Sequence, residues 1–159
     1  MPHHQSIDPR GPQLNAALTS VVLGLALVTA ATPVGPGILA LQAGLFAIGV
    51  VLGVHRTPSA YLFRRFVRPR LAPPTYLEDP RPPRFAQGIG LAFTAVGLLG
   101  FLAGPTWLGY GAVAAALVAA LLNATVQFCL GCKVYGVCRL PQNTHEYLIT
   151  STHQKESIA

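Results

Sequence analysis

Long apolar stretches alternate with short charged ones along this chain of 159 residues. No Asp, Glu, Lys or Arg occurs from Gly11 to Val54, a run of 44 residues, or from Phe85 to Cys132, a run of 48. A helix needs about 20 apolar residues to cross a lipid bilayer. Each uncharged run therefore predicts two membrane-spanning helices joined by a tight turn, and the whole chain predicts an all-α, four-helix transmembrane bundle.

Proline and glycine divide each uncharged run into two spans. We expect the spans at about residues 14–31, 38–54, 85–103 and 110–130, because Thr32–Gly37 and Gly104–Gly109 contain residues that end a helix. One membrane domain, 14–140, then lies between an N-terminal segment, 1–13, and a polar tail, 141–159, with a link at 55–84. The first span could instead be a cleaved signal peptide, but Asp8 weakens the positive segment that such a peptide needs.

The basic residues predict the orientation. The chain has a net charge of +6, and the link alone carries seven arginines, whereas the two tight turns carry no Lys or Arg. Basic residues that flank apolar spans are typical of membrane orientation rather than of nucleic-acid binding. We therefore expect both termini and the link in the cytoplasm. Arginine in large excess over lysine, with abundant alanine, suggests a bacterial protein and hence the inner membrane.

A short repeat precedes the first and third spans. The segment from Asp8 to Leu14 (DPRGPQL) is echoed 71 residues later from Asp79 to Phe85 (DPRPPRF). A duplication would make the bundle from two similar helical hairpins that enter the membrane from the same side. Alternatively, proline and arginine are merely common where helices begin.

The link contains a short amphipathic pattern. Ser59 could cap a helix over Ala60–Val67, with apolar side chains on one side and arginines on the other, as in a helix that lies along the membrane surface. A docking surface for an acidic partner is the alternative. Small residues at helical spacing, such as Ala112, Ala116, Ala120 and Ala124, favour close packing within the chain or in a homo-oligomer.

Polar side chains inside the spans should face the bundle. They include Thr19, Ser20, Gln42, Gln87, Thr94, Asn123, Thr125 and Gln127. Asn123 and Gln127 are four residues apart and form a candidate binding pair, or a structural hydrogen bond between helices. No charged residue lies within a span, which argues against an ion or proton pump.

Cys129-Leu130-Gly131-Cys132 is the element with recognisable chemistry. Two thiols at this spacing can form a disulfide, exchange electrons with another dithiol or supply half of a metal site. Cys138 could resolve a disulfide or simply pack. Zinc would need histidines as further ligands, and no second close pair of ligands exists, so we predict no metal and no cofactor. The cysteines could also be purely structural.

Three stretches together identify a family resemblance: Asp8 to Pro12, Pro82 to Gln87, and Asn123 to Cys132 (NATVQFCLGC). The chain resembles, over about residues 7–140, a bacterial membrane family known as domain of unknown function 4395. The resemblance implies four helices and an association with thioredoxin-like or sulfurtransferase proteins, but it does not supply an activity.

Three functions are consistent with this sequence. The first is a membrane dithiol, Cys129 and Cys132, that exchanges electrons or sulfur with a thioredoxin-like or sulfurtransferase partner, as a component of a thiol-disulfide oxidoreductase. The second is a non-enzymatic scaffold or accessory subunit, suggested by the small-residue stripes and the lack of catalytic acids and bases. The third is a small permease for a sulfur compound.

Overall fold

The computed structural model describes residues 7–74 and 77–136. Its four long helices are α1 (Arg10–Val28), α2 (Val34–Val51), α4 (Arg81–Ala103) and α5 (Thr106–Val126). Each is long and apolar enough to cross a membrane. The prediction of an all-α bundle of four such helices is therefore confirmed, and the protein is a multi-pass membrane protein.

Several prolines lie in the first turns of the long helices, whereas Pro33 and Pro105 directly precede α2 and α5. Pro12, Pro36 and Pro82 are each inside a helix that begins earlier than the sequence predicted. The first four N–H groups of a helix have no partner within it, so proline is tolerated there. The two turns are therefore shorter than predicted, and α5 begins at Thr106, directly after Pro105.

The helices form a ring in the order α1, α2, α4, α5, in which each packs mainly against its two neighbours. A side chain near the start of α1 contacts the end of α5, and a side chain near the start of α4 contacts the end of α2. Each of these contacts joins one hairpin to the other. Gln13 donates to the Ala124 carbonyl at the end of α5 (3.0 Å), and Arg84 donates to the Val50 and Val51 carbonyls at the end of α2. The starts of α1 and α4 and the ends of α2 and α5 therefore share one end of the bundle, called here the link end.

The two repeats meet at the link end. Ile7 and Glu78, which are equivalent by the 71-residue offset, pair through two backbone hydrogen bonds of 2.9 Å. The next residue of each repeat is an aspartate that accepts the backbone N–H two positions on: Asp8 from Arg10 (3.0 Å) and Asp79 from Arg81 (2.9 Å). The bundle is therefore built from two similar hairpins, whose equivalent residues pair reciprocally where the hairpins begin.

Small residues allow the helices to approach closely. A Cβ atom added at Gly100 would lie 2.5 Å from the Gly109 nitrogen, and one added at Gly97 would lie 2.7 Å from Val113 Cγ2. Ala112 and Ala116 are buried, but Ala115 is exposed. Close packing within the chain thus accounts for much of the small-residue pattern, as expected where lipid removes the hydrophobic drive for helix association.

Four of the polar residues inside the spans are buried in the bundle, as predicted: Thr19, Ser20, Gln42 and Thr94. Gln42 Nε2 lies 3.4 Å from Thr19 Oγ1 and joins α2 to α1. Ser20 and Thr94 instead donate to carbonyls of their own helices. Thr125 and Gln127 are exposed, contrary to the expectation that they face the bundle.

After a 3-10 turn, Val54–Arg56, the link forms a short helix, α3 (Pro58–Leu62), which continues as a π-helical turn, Phe63–Val67, and a 3-10 turn, Arg68–Arg70. Its cap is Thr57, not Ser59: Thr57 Oγ1 accepts the Ala60 N–H (3.3 Å), and Pro58 takes the first helical position, which suits its fixed φ. Phe63 is buried beside Gly11, whereas Leu62 and Phe66 are exposed.

Candidate functional site

The chain leaves the helical path immediately before the cysteines. The long helix α5 ends at Val126, and Gln127 adopts a left-handed conformation (φ 56°, ψ 23°). It is the one non-glycine residue with positive φ in the described part of the chain. The Gln127 side chain donates to Gln13 Oε1 (3.3 Å), so the break is tied to the start of α1.

A second, short helix, α6 (residues 130–136), begins after this break. Cys129 precedes it in the position of an N-cap. Its carbonyl accepts the Lys133 N–H (3.1 Å), and its Sγ accepts the Cys132 N–H (3.2 Å). The break lies at Gln127, before both cysteines, so that both sulfurs stand at the start of a helix rather than at the end of one.

Cys129 and Cys132 are joined by a disulfide, with their Cα atoms 5.2 Å apart. Each residue is half-buried, and Lys133 beside them is exposed. Since α5 ends at the link end of the bundle, the disulfide lies there too. The structure thus brings the two predicted site cysteines into one covalent unit.

The cysteine segment rests on the start of α4. A Cβ atom added at Gly131 would lie 2.7 Å from both the Cα and the Cβ of Ala86, so only glycine permits this approach. Further along, the rings of Tyr135 and Phe85 lie 5.6 Å apart, centre to centre. Packing on a transmembrane helix therefore holds the short helix that carries the disulfide.

The first hairpin contains a counterpart of this segment. At an offset of 72 residues, Thr57 corresponds to Cys129 and Ala60 to Cys132. Thr57 Oγ1 accepts the Ala60 N–H, as Cys129 Sγ accepts the Cys132 N–H, and the Thr57 carbonyl accepts the Tyr61 N–H at 3.1 Å, as the Cys129 carbonyl accepts the Lys133 N–H. The two cysteines thus occupy the cap of a short helix that both repeats share.

The same correspondence extends to the transmembrane helix on which each short helix packs. Ser59 donates to Asn15 of α1 (2.6 Å), whereas its counterpart Gly131 touches Ala86 of α4. A polar contact in the first repeat is therefore replaced by a close apolar contact in the second.

The other candidate site residues are placed differently. Asn123 and Gln127 do not share a helical face, because α5 ends between them. Gln127 contacts Gln13, and Asn123 is half-buried. Cys138 lies outside the described residues, so its suggested part as a resolving thiol stays a prediction. Within residues 7–74 and 77–136, no three His, Cys, Asp or Glu side chains form a group that could hold a metal.

Sequence reasoning missed two neighbours of the disulfide, Gln13 and Ala86. Gln13 belongs to the repeat that the sequence revealed, but its contact with α5 depends on the ring order of the helices. Ala86 gives no signal of its own. A glycine between two cysteines does signal a close approach, but the sequence does not show what is approached.

No curated protein and no solved structure matches the chain. A family model described as a domain of unknown function (DUF4395) matches residues 7–139, which include α1 to α6 and the disulfide. The protein therefore belongs to this family.

Proposed function

We propose that this protein is a membrane dithiol, whose Cys129 and Cys132 exchange electrons with a thioredoxin-like partner at the cytoplasmic face of the bacterial inner membrane. The observation that carries the proposal is the Cys129–Cys132 disulfide at the cap of a short helix, half-exposed at the link end of the bundle. The family resemblance supports the class of partner, since it implies an association with thioredoxin-like proteins.

The geometry assigns different parts to the two sulfurs. When the pair is reduced, the Cys132 N–H that Cys129 Sγ now accepts would stabilise a thiolate on Cys129. This thiolate attacks one sulfur of the partner's disulfide, and the other partner sulfur leaves as a thiolate, which takes up a proton. Cys132 then loses its proton, attacks Cys129 Sγ and releases the partner as a dithiol. Two electrons have passed to the partner, and the reaction runs in reverse when the partner is the reductant.

The charge of the link end supports its placement in the cytoplasm. Arginines of the described chain at this end include Arg10, Arg56, Arg64 and Arg84, and the opposite end has none in its turns. Positive segments stay on the cytoplasmic side during insertion. The cytoplasm keeps thiols reduced, which suits a pair that cycles with a reducing partner rather than a permanent structural bridge.

Trapping of thiols in intact cells tests this proposal. In the Cys132→Ser variant, made in a background that also lacks Cys138, no thiol of the protein remains to resolve the mixed disulfide formed by Cys129, so a covalent complex with a partner should accumulate and disappear on reduction. Cys129→Ser in the same background is the matched control, because it also keeps one thiol of the pair and removes the attacking one. If Cys132→Ser yields no adduct above the level of Cys129→Ser, and the wild-type pair does not change redox state when the cells are exposed to an oxidant, the proposal is wrong.

A further inference from the structure

The link end contains a cavity that is separate from the disulfide. It has a volume of about 490 Å³ and lies between the start of α1, the first two turns of α4 and the link, and it is called here the link cavity. This volume falls within the range of about 300–1,000 Å³ that is typical of small-molecule sites. Pro83 and Gln87 of α4 line it, whereas Ala86 contacts the cysteine segment.

The inner wall of the link cavity offers hydrogen-bond donors. Asn15 accepts the Ser59 O–H through Oδ1 (2.6 Å), which leaves its Nδ2 group as a donor. Within the part of the chain that the structure describes, neither Asn15 Nδ2 nor the Gln87 amide has a hydrogen-bond partner. The Thr57 hydroxyl already donates to the Val54 carbonyl (2.9 Å). Two amide groups are thus available to a ligand that accepts hydrogen bonds.

The mouth of the cavity is positively charged. Arg64 and Arg68 line it and are exposed, and Asp8 is the single acidic residue among the described residues of the lining. One oxygen of Asp8 already accepts the Arg10 N–H (3.0 Å). Two guanidinium groups against one carboxylate favour an anion. Arginine forms pairs of charge-assisted hydrogen bonds with phosphate-type oxygens.

From these donors and charges we infer that the link cavity binds a phosphate-type oxyanion. The oxyanion contacts the Arg64 and Arg68 guanidinium groups and accepts hydrogen bonds from the Asn15 and Gln87 amides. Since the cavity lies at the end of the apolar helices, such an anion can come from an anionic phospholipid headgroup or from a free inorganic anion. The inference does not depend on the chemistry of the cysteines.

Thermal unfolding of the full-length protein tests the inference. The delipidated protein in a neutral detergent is heated while its helical circular dichroism is followed, with inorganic phosphate against chloride at equal ionic strength. A second arm compares short-chain phosphatidylglycerol with short-chain phosphatidylcholine. A ligand that binds the folded state raises the unfolding midpoint. A rise with phosphate identifies a free anion, a rise with phosphatidylglycerol alone identifies a lipid headgroup, and either result supports the inference.

Variants of the lining give the decisive comparison. Removal of both guanidinium groups in Arg64→Gln with Arg68→Gln should weaken the ligand at least about tenfold, because charge-assisted bonds are lost. Both side chains are exposed, so the fold should persist. Arg56→Gln is the matched control, since Arg56 is exposed in the same link but does not line the cavity. Gln87→Glu, which keeps the size of the side chain, should also abolish the rise.

The inference is overturned if neither ligand raises the unfolding midpoint of the wild-type protein. It is also overturned if the double variant and Arg56→Gln respond like the wild type, because the effect would then be general screening of the basic surface. Thiol trapping does not enter into these readouts, so failure here leaves the proposed redox function untouched.

Discussion

At the scale of single residues, Gly131 links the cysteine pair to the bundle. A methyl group at this position would meet the Cα and Cβ of Ala86 at 2.7 Å. We expect Gly131→Ala to destabilise the protein by about 1–3 kcal/mol, as is typical of overpacking, and to lower the fraction of Cys129–Cys132 disulfide. The unfolding midpoint and the mass shift after thiol alkylation measure these two effects.

The same short helix offers a control for Gly131. A Cβ added at Gly136 would meet nothing within 4 Å, so Gly136→Ala should leave both readouts unchanged or slightly improved, since alanine favours helix. Adding Ala86→Gly to Gly131→Ala should restore only part of the loss, because it removes the contact with the Cβ of residue 86 but not the contact with its Cα. If the Gly131 and Gly136 variants behave alike, the contact with α4 is not what holds the segment.

Gln127 is the second residue on which the site depends, because its left-handed backbone ends α5. Gln127→Gly and Gln127→Val both remove the amide that bonds to Gln13, so a comparison of the two isolates the backbone. Glycine adopts positive φ without strain, whereas a β-branched residue does not. We expect the glycine variant to be more stable by about 1–2 kcal/mol, measured by unfolding in detergent. Equal stabilities would mean that the helix continues through this residue.

At the scale of elements, the correspondence between Thr57–Ala60 and Cys129–Cys132 is open to a direct test. With the native pair replaced by serine, Thr57→Cys together with Ala60→Cys should form a disulfide, because the backbone makes the same two cap hydrogen bonds in both repeats. The new bond would lower the mass by two hydrogens and block alkylation.

The control for this variant is a second double-cysteine variant, Tyr61→Cys with Arg64→Cys. These positions have the same spacing and are exposed, but they lie beyond the cap, where Arg64 belongs to the π-helical turn. We expect them to stay reduced. Disulfides in both designs, or in neither, would show that the cap geometry does not decide the pairing.

The helices themselves could be predicted from the sequence, because the long uncharged runs and the cost of charge in lipid leave few alternatives. The bounds of the helices could not be predicted, because the predicted helices begin after Pro12, Pro36 and Pro82, whereas the observed helices contain these prolines. Ser59 was predicted to cap a helix that begins at Ala60, but the cap of α3 is Thr57, which the proline in the first helical position indicates.

For the candidate site, the sequence identified Cys129 and Cys132 but not the backbone conformation and the contacts around them. Gln127 gives no local sign of a left-handed conformation, because that conformation depends on the contact with Gln13 in another helix. Asn123 and Gln127 were expected to share a helical face, but α5 ends between them, and their role as a binding pair stays a prediction. Contacts between segments that are distant in the sequence, such as the contact of Gly131 with Ala86, cannot be predicted from a local sequence pattern.

At the scale of the whole molecule, the two ends of the bundle differ in charge, and this difference predicts the orientation that the proposed function needs. Each hairpin has one turn between its two helices, near Thr32 in the first hairpin and near Thr106 in the second. Both turns lie at the end of the bundle opposite the link. Basic segments are retained in the cytoplasm, so we expect these turns to face outward. An electron exchange with a cytoplasmic partner is feasible only if the opposite end, with the disulfide, faces inward.

Single cysteines in a cysteine-free background measure this orientation. Thr32→Cys and Thr106→Cys are exposed positions in the turns, and Arg56→Cys is an exposed position in the link. A membrane-impermeant thiol reagent should label the first two in intact spheroplasts and the third only after the membrane is permeabilised. Labelling of Arg56→Cys from outside would place Cys129 and Cys132 on the extracytoplasmic face. A cytoplasmic thioredoxin-like protein could then not reach them, whereas the packing of the bundle and the cap of α6 would be unaffected, because neither depends on which side of the membrane they face.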